Sequence, residues 1–433
     1  MYYLLYTYTM KKFTLIFLAA TMAVLIWPVN NATAQDYTRD SLTMGPGYAN
    51  DLYYRLTGGL VSEAPRANWD IAFYTARFSA GILINDGTGL NLYTYPLGDT
   101  SAWASVDTTG MSSWKNMTNS PTVWEDGAFN AHSTGHPDYG WGTYNMVTHN
   151  LTGDSIFVVA YPDGSIKKLW IESKFSAENI YNFKYANLDG TDEHKVEFNV
   201  IPYETKRFAY YSMVDNMELD REPAADLWDI LFTKFINLVP DNEGNLLPYL
   251  VTGVANNVET GANHFYPVAN DFNSWFDKDF SIEKNTIGAD WKYFDMGTFS
   301  YKMVDSTCYF VKSGNDDVYK LSFVYWGGTS TGAFALDKKI VSLSAVNEIE
   351  KESNALNLFP MPAHDRVSVR MEGVEGDAQL SIYDLNGRQV LTQIVTGSEL
   401  QKGVVVSINM PTGLYIAKLS YDQTIYSQKL MVQ

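Results

Sequence analysis

Four side chains between residues 132 and 149 are of types that bind haem iron. They are His132, His136, Met146 and His149, in a chain of 433 residues with six histidines in all. Imidazole nitrogen and thioether sulfur both serve as axial ligands of haem iron, and neutral imidazole is a common metal ligand. A pair made of His132 or His136 with His149 or Met146 would suit a haem. These four residues are therefore the candidate cofactor site.

The same residues also fit a purely structural interpretation. His132 and His136 lie in residues 131–137, a polar segment with glycine and proline that is typical of an exposed loop. Met146 has a counterpart in Met303, within a second copy of the same pattern, as expected of a core position that both copies share. The residues alone leave both interpretations open.

Large aromatic side chains crowd the same region of the chain. Flat rings stack on a porphyrin or on the CH groups of a sugar, and they also close the ends of β domains. Glycan binding or surface adhesion is therefore the alternative to haem binding. The aromatic residues are Trp103, Trp114, Trp124, Tyr139 and Trp141.

Composition and motifs exclude several other functions. The chain has 31 Lys and Arg against 49 Asp and Glu, and this net charge of −18 argues against a nucleic-acid partner. The single cysteine, Cys308, excludes an intrachain disulfide framework and cysteine-rich metal sites. Serine-hydrolase, zinc-protease and phosphate-loop motifs are missing from the sequence. We expect no enzymatic activity, no catalytic residues and no dedicated metal site.

The elements that must position the candidate residues are short strands. Between residues 36 and 345, β-branched and aromatic segments alternate with turns rich in Gly, Asn, Asp and Pro. Residues 155–160, for example, lead through Tyr161-Pro162-Asp163-Gly164 into residues 166–171, which predicts a hairpin. Sustained 3.6-residue periodicity is missing, so we expect an all-β protein without long helices.

The strand pattern occurs twice. Trp69-Asp70 returns as Trp228-Asp229, and Lys168-Leu169 returns as Lys320-Leu321, each about 155 residues later. Tyr53-Tyr54 and Tyr210-Tyr211 open the two copies. A unit of this length is longer than a solenoid repeat and indicates a duplicated domain. We predict two related antiparallel β domains, residues 35–204 and 205–345.

These landmarks resemble the HmuY-like family. The tyrosine-rich opening strand, the Trp-Asp-Ile-Ala-Phe strand at 69–73 and the late Lys-Leu-aromatic hairpin carry the resemblance. It implies a secreted all-β protein of Bacteroidetes, and the founding member of the family holds haem between two protein ligands. The family's ligand pair lies between the Trp-Asp strand and the closing hairpin, as residues 132–149 do here. Copy two has Asp305 and Ser306 in place of Thr148 and His149, so copy one is the expected haem site.

The first residues of the chain have the pattern of a secretory signal. Lys11 and Lys12 precede an apolar run at 13–27, and Ala32-Thr33-Ala34 follows it as a cleavage site. We predict a signal peptide at residues 1–34, and no transmembrane segment once it is removed. A lipid-anchoring cysteine near Ala34 is missing, so surface attachment would depend on another part of the chain.

The last part of the chain carries a second targeting signal. Residues 346–353 are polar and charged, which predicts a linker. In residues 354–433, apolar and polar positions alternate in short segments separated by glycine turns, which predicts a small β-sandwich. This segment resembles the type A C-terminal sorting domain of the type IX secretion system. The matching positions are Phe359, Pro360, Pro362, Ile382-Tyr383-Asp384, Gly387-Arg388, Gly413, Tyr415 and Lys429-Leu430. Met361 departs from the pattern, which has Asn at that position. The resemblance implies type IX secretion machinery as a partner and a secreted or cell-surface location.

The sequence thus predicts an exported, non-enzymatic ligand-binding protein. Two HmuY-like β domains would be followed by a linker and the sorting domain. Haem is the candidate ligand, and a glycan bound by the loop aromatics is the alternative.

Overall fold

Antiparallel β structure dominates the computed structural model, so the predicted all-β class is confirmed. The structure describes residues 37–342 except Asn242, and residues 356–433 except Glu372, Leu385, Asn386, Asp422 and Gln423. The predicted signal peptide at 1–34 and the predicted linker at 346–353 lie outside the described residues. The chain divides into two compact units between residues 344 and 345.

The described residues of the first unit form four large sheets, which we call sheets I to IV. Sheet I has the core order β12-β11-β10-β8-β7, with β9 pairing to β10 and β6 to β9. Its strands are β6 Asn91–Thr94, β7 Gly142–Tyr144, β8 Leu151–Gly153, β9 Phe157–Ala160, β10 Ile166–Phe175, β11 Ile180–Asn187 and β12 His194–Asn199. The predicted hairpin forms by pairing of β9 with β10, in which Ile166 lies opposite Ala160.

Sheets II and III each combine two hairpins. Sheet II has the order β14-β13-β4-β5, and sheet III has the order β16-β15-β2-β3. The strands of sheet II are β4 Ile71–Tyr74, β5 Ile82–Ile84, β13 Phe208–Ser212 and β14 Met217–Leu219. Those of sheet III are β2 Asn50–Arg55, β3 Gly59–Pro65, β15 Ile230–Pro240 and β16 Leu246–Asn256.

Sheet IV has the order β1-β22-β21-β20-β17, and a separate hairpin joins β18 to β19. The strands are β1 Thr38–Thr43, β17 Gly261–Phe265, β18 Lys292–Asp295, β19 Ser300–Met303, β20 Cys308–Lys312, β21 Val318–Trp326 and β22 Ala333–Ser342. Short 3₁₀ turns connect the strands of this unit. They are Pro46–Tyr48, Arg66–Asn68, Asp86–Thr88, Thr100–Ser105, Met111–Ser113, Ala128–Asn130, Ile201–Tyr203, Ala225–Leu227 and Trp275–Asp277.

The two largest hydrophobic cores that the described residues of this unit form lie between these sheets. The first core packs sheet II on sheet I, with the ring of Phe73 4.5 Å from Tyr181 and 5.5 Å from Phe183. The second core packs sheet III on sheet IV, with the ring of Phe232 4.5 Å from Phe334. Aromatic pairs at these distances add stabilisation beyond the buried area.

The other faces of sheets II and III are also buried, and these two sheets face each other. Trp124 lies between them, with its ring centroid 5.8 Å from Phe208 of sheet II and 6.5 Å from Trp228 beside sheet III. Strands that are buried on both faces are expected to be apolar at consecutive positions. That explains the continuous runs Leu52-Tyr53-Tyr54 and Ile230-Leu231-Phe232, all fully or almost fully buried.

The two halves of the first unit exchange their opening hairpins. Strand β2 of the first half pairs with β15 of the second, and β13 of the second half pairs with β4 of the first. Asp70 N donates to Tyr211 O at 3.0 Å, and Asp229 N donates to Tyr54 O at 2.9 Å. The repeated Tyr-Tyr and Trp-Asp segments therefore meet across the halves rather than within them.

This exchange bears on the predicted domain boundaries. The division between residues 204 and 205 does not separate the two cores, because Ala209, Tyr211 and Met213 belong to the first core. Leu52 and Tyr54 belong to the second core in the same way. Strand pairing depends on neighbours that are distant in the chain, so a linear repeat could not reveal it.

The second unit is a small β-sandwich. One sheet has the order β23-β24-β27 and the other the order β26-β25-β28-β29, and residues such as Val367, Leu380 and Leu419 fill the core. The elements are β23 Asn357–Phe359, β24 Arg366–Arg370, β25 Asp377–Asp384, β26 Gln389–Thr396, α1 Gly397–Lys402, β27 Val404–Ser407, β28 Gly413–Tyr421 and β29 Thr424–Val432. Across the described ranges, no helix is long and apolar enough to cross a membrane.

Candidate ligand-binding site

A tight turn between β7 and β8 positions His149. The Asn145 side chain accepts hydrogen bonds from Val147 N at 2.8 Å and Thr148 N at 3.0 Å, and His149 N donates to Asn145 O. His149 has a φ of 63°, in the left-handed region where His, Asn and Asp are enriched. The turn thus holds the imidazole at the end of the β7–β8 hairpin.

The loop before β7 positions His136. Asp138 closes this loop, because its carboxylate accepts hydrogen bonds from Thr134 N at 2.8 Å and Gly140 N at 2.7 Å. These hydrogen bonds lower the pKa of Asp138, although its partial burial opposes them. The carboxylate that organises the loop therefore stays ionised at neutral pH.

The two segments meet at two tyrosines. The ring centroid of Tyr144 lies 5.1 Å from that of His136 and 5.9 Å from that of His149, and Tyr139 lies 6.1 Å from His136. Tyr139 and Tyr144 pack against the first core, whereas both histidines are exposed. We call His136, Tyr139, Tyr144 and His149 the imidazole–tyrosine cluster.

Hydrogen bonds to the tyrosines occupy one nitrogen of each ring. His149 Nδ1 lies 2.5 Å from Tyr144 Oη, and His136 Nδ1 lies 3.4 Å from Tyr139 Oη. In the described part of the chain, neither Nε2 atom has a hydrogen-bond partner. A histidine whose Nδ1 is engaged in this way is oriented to bind a metal through Nε2.

The other two predicted residues lie apart from the cluster. His132 Nδ1 lies 3.4 Å from Thr94 Oγ1, and the ring is exposed. Met146 is 71% exposed, so its side chain is not a core position. The structure brings His136 and His149 together through Tyr144, which sequence reasoning did not select as a site residue. The signal that could have pointed to Tyr144 is its separation of five residues from His149 across a tight turn.

The second half repeats the turn but not the imidazole. Ser306 has a φ of 59°, close to that of His149, and Tyr301 is the counterpart of Tyr144. Tyr301 packs on Trp326 and Phe294 instead of on histidine rings. The imidazole–tyrosine cluster is therefore specific to the first half.

The loop aromatics are largely committed to packing. Trp141 is fully buried and donates from Nε1 to Ala80 O at 2.8 Å, and Trp124 donates to Asn256 O at 2.6 Å. Trp103 lies against the amines of Lys168 and Lys184, and Trp114 packs on Tyr93 and Tyr95. The rings of these four tryptophans thus contact other side chains of the protein. Tyr139 is the one residue of this aromatic group that belongs to the imidazole–tyrosine cluster.

Cys308 and the acidic side chains are the other groups of the first unit that the sequence singles out for their chemistry. Cys308 is buried in β20, and burial raises the pKa of its thiol, as expected for an inert core position. Within the described ranges, no group of three or more His, Cys, Asp or Glu side chains is arranged to hold a metal ion.

Comparison with known proteins identifies the second unit. Residues 357–433 match the family model described as "Secretion system C-terminal sorting domain". This segment is a C-terminal sorting domain. The predicted sorting domain is thereby confirmed, as is the secreted or cell-surface location that it implies. The type IX secretion machinery is the partner that such a domain addresses.

The other comparisons say less about the rest of the chain. None of the curated proteins matches the chain. A crystal structure of apo PinO from Porphyromonas gingivitis matches 72% of this chain and 100% of its own, at 11% identity and a TM-score of 0.22. A likeness at that score carries no argument, so the resemblance of residues 35–204 and 205–345 to the HmuY-like family stays a prediction.

Proposed function

We propose that this secreted or cell-surface protein is a non-enzymatic ligand-binding protein that takes up haem at the imidazole–tyrosine cluster. The observation that carries the proposal is the meeting of His136 and His149 at the ring of Tyr144, on an exposed surface. Each histidine has its Nδ1 beside a tyrosine hydroxyl, and Nε2 is left for a ligand. Haem supplies the iron that such nitrogens coordinate.

Each cluster residue has a distinct role in this proposal. His136 and His149 are the iron ligands, and Tyr144 orients His149 through the 2.5 Å contact to Nδ1. The rings of Tyr139 and Tyr144 offer flat apolar surface that a porphyrin can contact. Met146 is close in sequence and exposed, so its thioether is the substitute ligand if one histidine does not coordinate.

Absorption spectroscopy of the full chain tests the proposal. Titration with haem at micromolar concentration should give a shifted Soret band, and His136→Ala combined with His149→Ala should abolish that shift. Single variants should lower the affinity at least tenfold, because each would remove one of the two imidazoles that would hold the haem. Tyr144→Phe should weaken binding less, since it removes only the hydroxyl that orients His149.

His194→Ala is the matched control, because His194 stacks on Tyr185 at 5.0 Å and lies outside the cluster. This variant should bind haem as the natural chain does. An unchanged Soret band throughout the titration would refute haem binding. A shift of equal size in the double variant would refute the cluster as its site.

A further inference from the structure

A cavity of about 60 Å³ lies between sheets II and III, and it is distinct from the imidazole–tyrosine cluster. Aromatic rings form its apolar wall, contributed by Trp69, Trp124, Phe208 and Tyr210. Charged side chains from both halves of the first unit also line it. The hairpin exchange creates this cavity, because the exchange sets the two inner sheets face to face.

One carboxylate in the cavity wall is already satisfied. Asp51 accepts hydrogen bonds from Arg66 Nε at 3.0 Å, Arg221 Nη2 at 2.8 Å and Thr233 Oγ1 at 2.7 Å. The two guanidinium groups lower the pKa of Asp51 against the opposing effect of its burial. The guanidinium groups of Arg66 and Arg221 thus share the carboxylate of Asp51.

Other donors in the wall have no acceptor. Arg66 is 4% exposed, yet its Nη1 has no hydrogen-bond partner among the described residues. The same is true there of Trp69 Nε1 and Arg221 Nε. All three unpartnered atoms are N–H groups, and a buried donor without a partner costs roughly 1–3 kcal/mol. A ligand in this cavity would therefore satisfy these groups by accepting hydrogen bonds from them.

The charges of the wall favour an anion as well. Lys234 lines the cavity, and its Nζ forms no hydrogen bond or ion pair within the described ranges. Partial burial and the neighbouring Arg66 lower the pKa of Lys234. Lys284 faces Asp86, whose pKa is raised to about 6 by burial. Arg221 also lies near the buried carboxyl group of Glu222, so among the described residues the ammonium of Lys234 is the cation of the wall that has no ion-pair partner.

We propose that the cavity binds a small organic carboxylate. Its oxygens would accept hydrogen bonds from Arg66 Nη1, Trp69 Nε1 and Lys234 Nζ, and its hydrocarbon part would lie against Trp124 and Phe208. The cavity volume limits the ligand to a few non-hydrogen atoms, such as acetate or propionate. This site uses residues of both halves and is independent of haem binding.

Calorimetric titration of the full chain with acetate and propionate tests the proposal. Lys234→Met should weaken binding about tenfold, and Trp69→Phe should weaken it about fivefold, because one hydrogen bond contributes on the order of 1 kcal/mol. Trp228→Phe is the matched control. Trp228 is the counterpart of Trp69 and also has an unpartnered Nε1, but it does not line this cavity.

Nuclear magnetic resonance provides a second readout that does not depend on stability. The indole N–H signal that is missing from Trp69→Phe should move when acetate is added to the natural chain, and the Trp228 signal should stay in place. Binding of phosphate or chloride without binding of either carboxylate would overturn the proposal. An unchanged chemical shift of the Trp69 indole N–H at tens of millimolar acetate would also overturn it. That result would mean that water alone satisfies these donors.

Discussion

At the scale of single residues, the repeated Trp-Asp motif joins the two halves. Asp70 Oδ2 accepts hydrogen bonds from Met213 N at 2.5 Å and Val214 N at 3.2 Å, and Asp229 Oδ2 accepts one from Leu56 N at 2.8 Å. Each carboxylate thus accepts hydrogen bonds from backbone N–H groups that directly follow the Tyr-Tyr strand of the other half. The motif is explained by this structural role.

A further buried acid, Glu222, is expected to make the stability of the first unit depend on pH. Its carboxylate accepts hydrogen bonds from Tyr210 Oη at 2.7 Å and Arg207 N at 2.5 Å. Burial nevertheless raises the pKa of Glu222 to about 7. In the unfolded chain this group ionises near its ordinary value, so the folded protein binds more protons between pH 4.5 and 7. The free energy of unfolding must fall as the pH rises through that window.

We predict that Glu222→Gln removes this part of the pH dependence. The amide oxygen can still accept from Arg207 N and the amide N–H can donate to Tyr210 Oη. The group cannot ionise, so the variant should gain up to about 3 kcal/mol over the natural chain on going from pH 4.5 to pH 8. Urea unfolding of both proteins at the two pH values measures the difference. Glu178→Gln, at an exposed position, is the control. Parallel pH profiles for Glu222→Gln and the natural chain would contradict the assignment.

At the scale of elements, a buried lysine in each half ties a strand to a loop. Lys168 Nζ in β10 donates to Trp103 O at 2.7 Å and Leu188 O at 3.2 Å. Lys320 Nζ in β21 donates to Asn270 O and Phe272 O, both at 2.7 Å. Both lysines are 1% exposed. Their aliphatic stems pack in the protein, and their amines satisfy loop carbonyls that would otherwise lack partners.

We predict that Lys168→Met and Lys320→Met each lower the free energy of unfolding by about 1–3 kcal/mol, because buried carbonyls lose their donor. Chemical denaturation measures the loss. Amide hydrogen exchange should also become faster in residues 99–106 for the first variant and in residues 268–275 for the second. Lys195→Met, at an exposed position of β12, should change stability by less than about 0.5 kcal/mol. An equal loss of stability at all three positions would argue against a specific role of the hydrogen bonds from Lys168 and Lys320 to the loops.

At the scale of the whole molecule, the hairpin exchange makes the first unit a single folding unit. A fragment of residues 35–204 lacks β13, which pairs with β4, and its own β2 has lost its partner β15. Residues 205–345 have the complementary defects. Unpaired strands that are apolar on both faces associate or aggregate rather than stay in solution.

We therefore predict that the fragments 35–204 and 205–345 fold only together. Co-expressed with an affinity tag on one of them, they should purify as a one-to-one complex with a single cooperative unfolding transition. Each fragment expressed alone should give no sharp transition or should be insoluble. A cooperative transition in either isolated fragment would contradict the exchange as a requirement for folding.

The sequence by itself determined the features that depend on local pattern. Alternation around turns such as Tyr161-Pro162-Asp163-Gly164 gave the all-β class, since strand periodicity and turn chemistry are short-range. The sorting domain followed from motifs spread along residues 354–433. The region of His132, His136, Met146 and His149 was also visible, because it depends only on residue type and proximity in the chain.

Only the tertiary structure decided which residues meet. It brought His136 and His149 to Tyr144 and left His132 and Met146 outside the cluster, because the geometry of two loops sets those contacts. It also paired β2 with β15 and β4 with β13, and so placed Arg66 and Arg221 around Asp51. Strand partners are selected by long-range packing on both faces of a sheet. The order of residues along the chain therefore does not predict which strands pair.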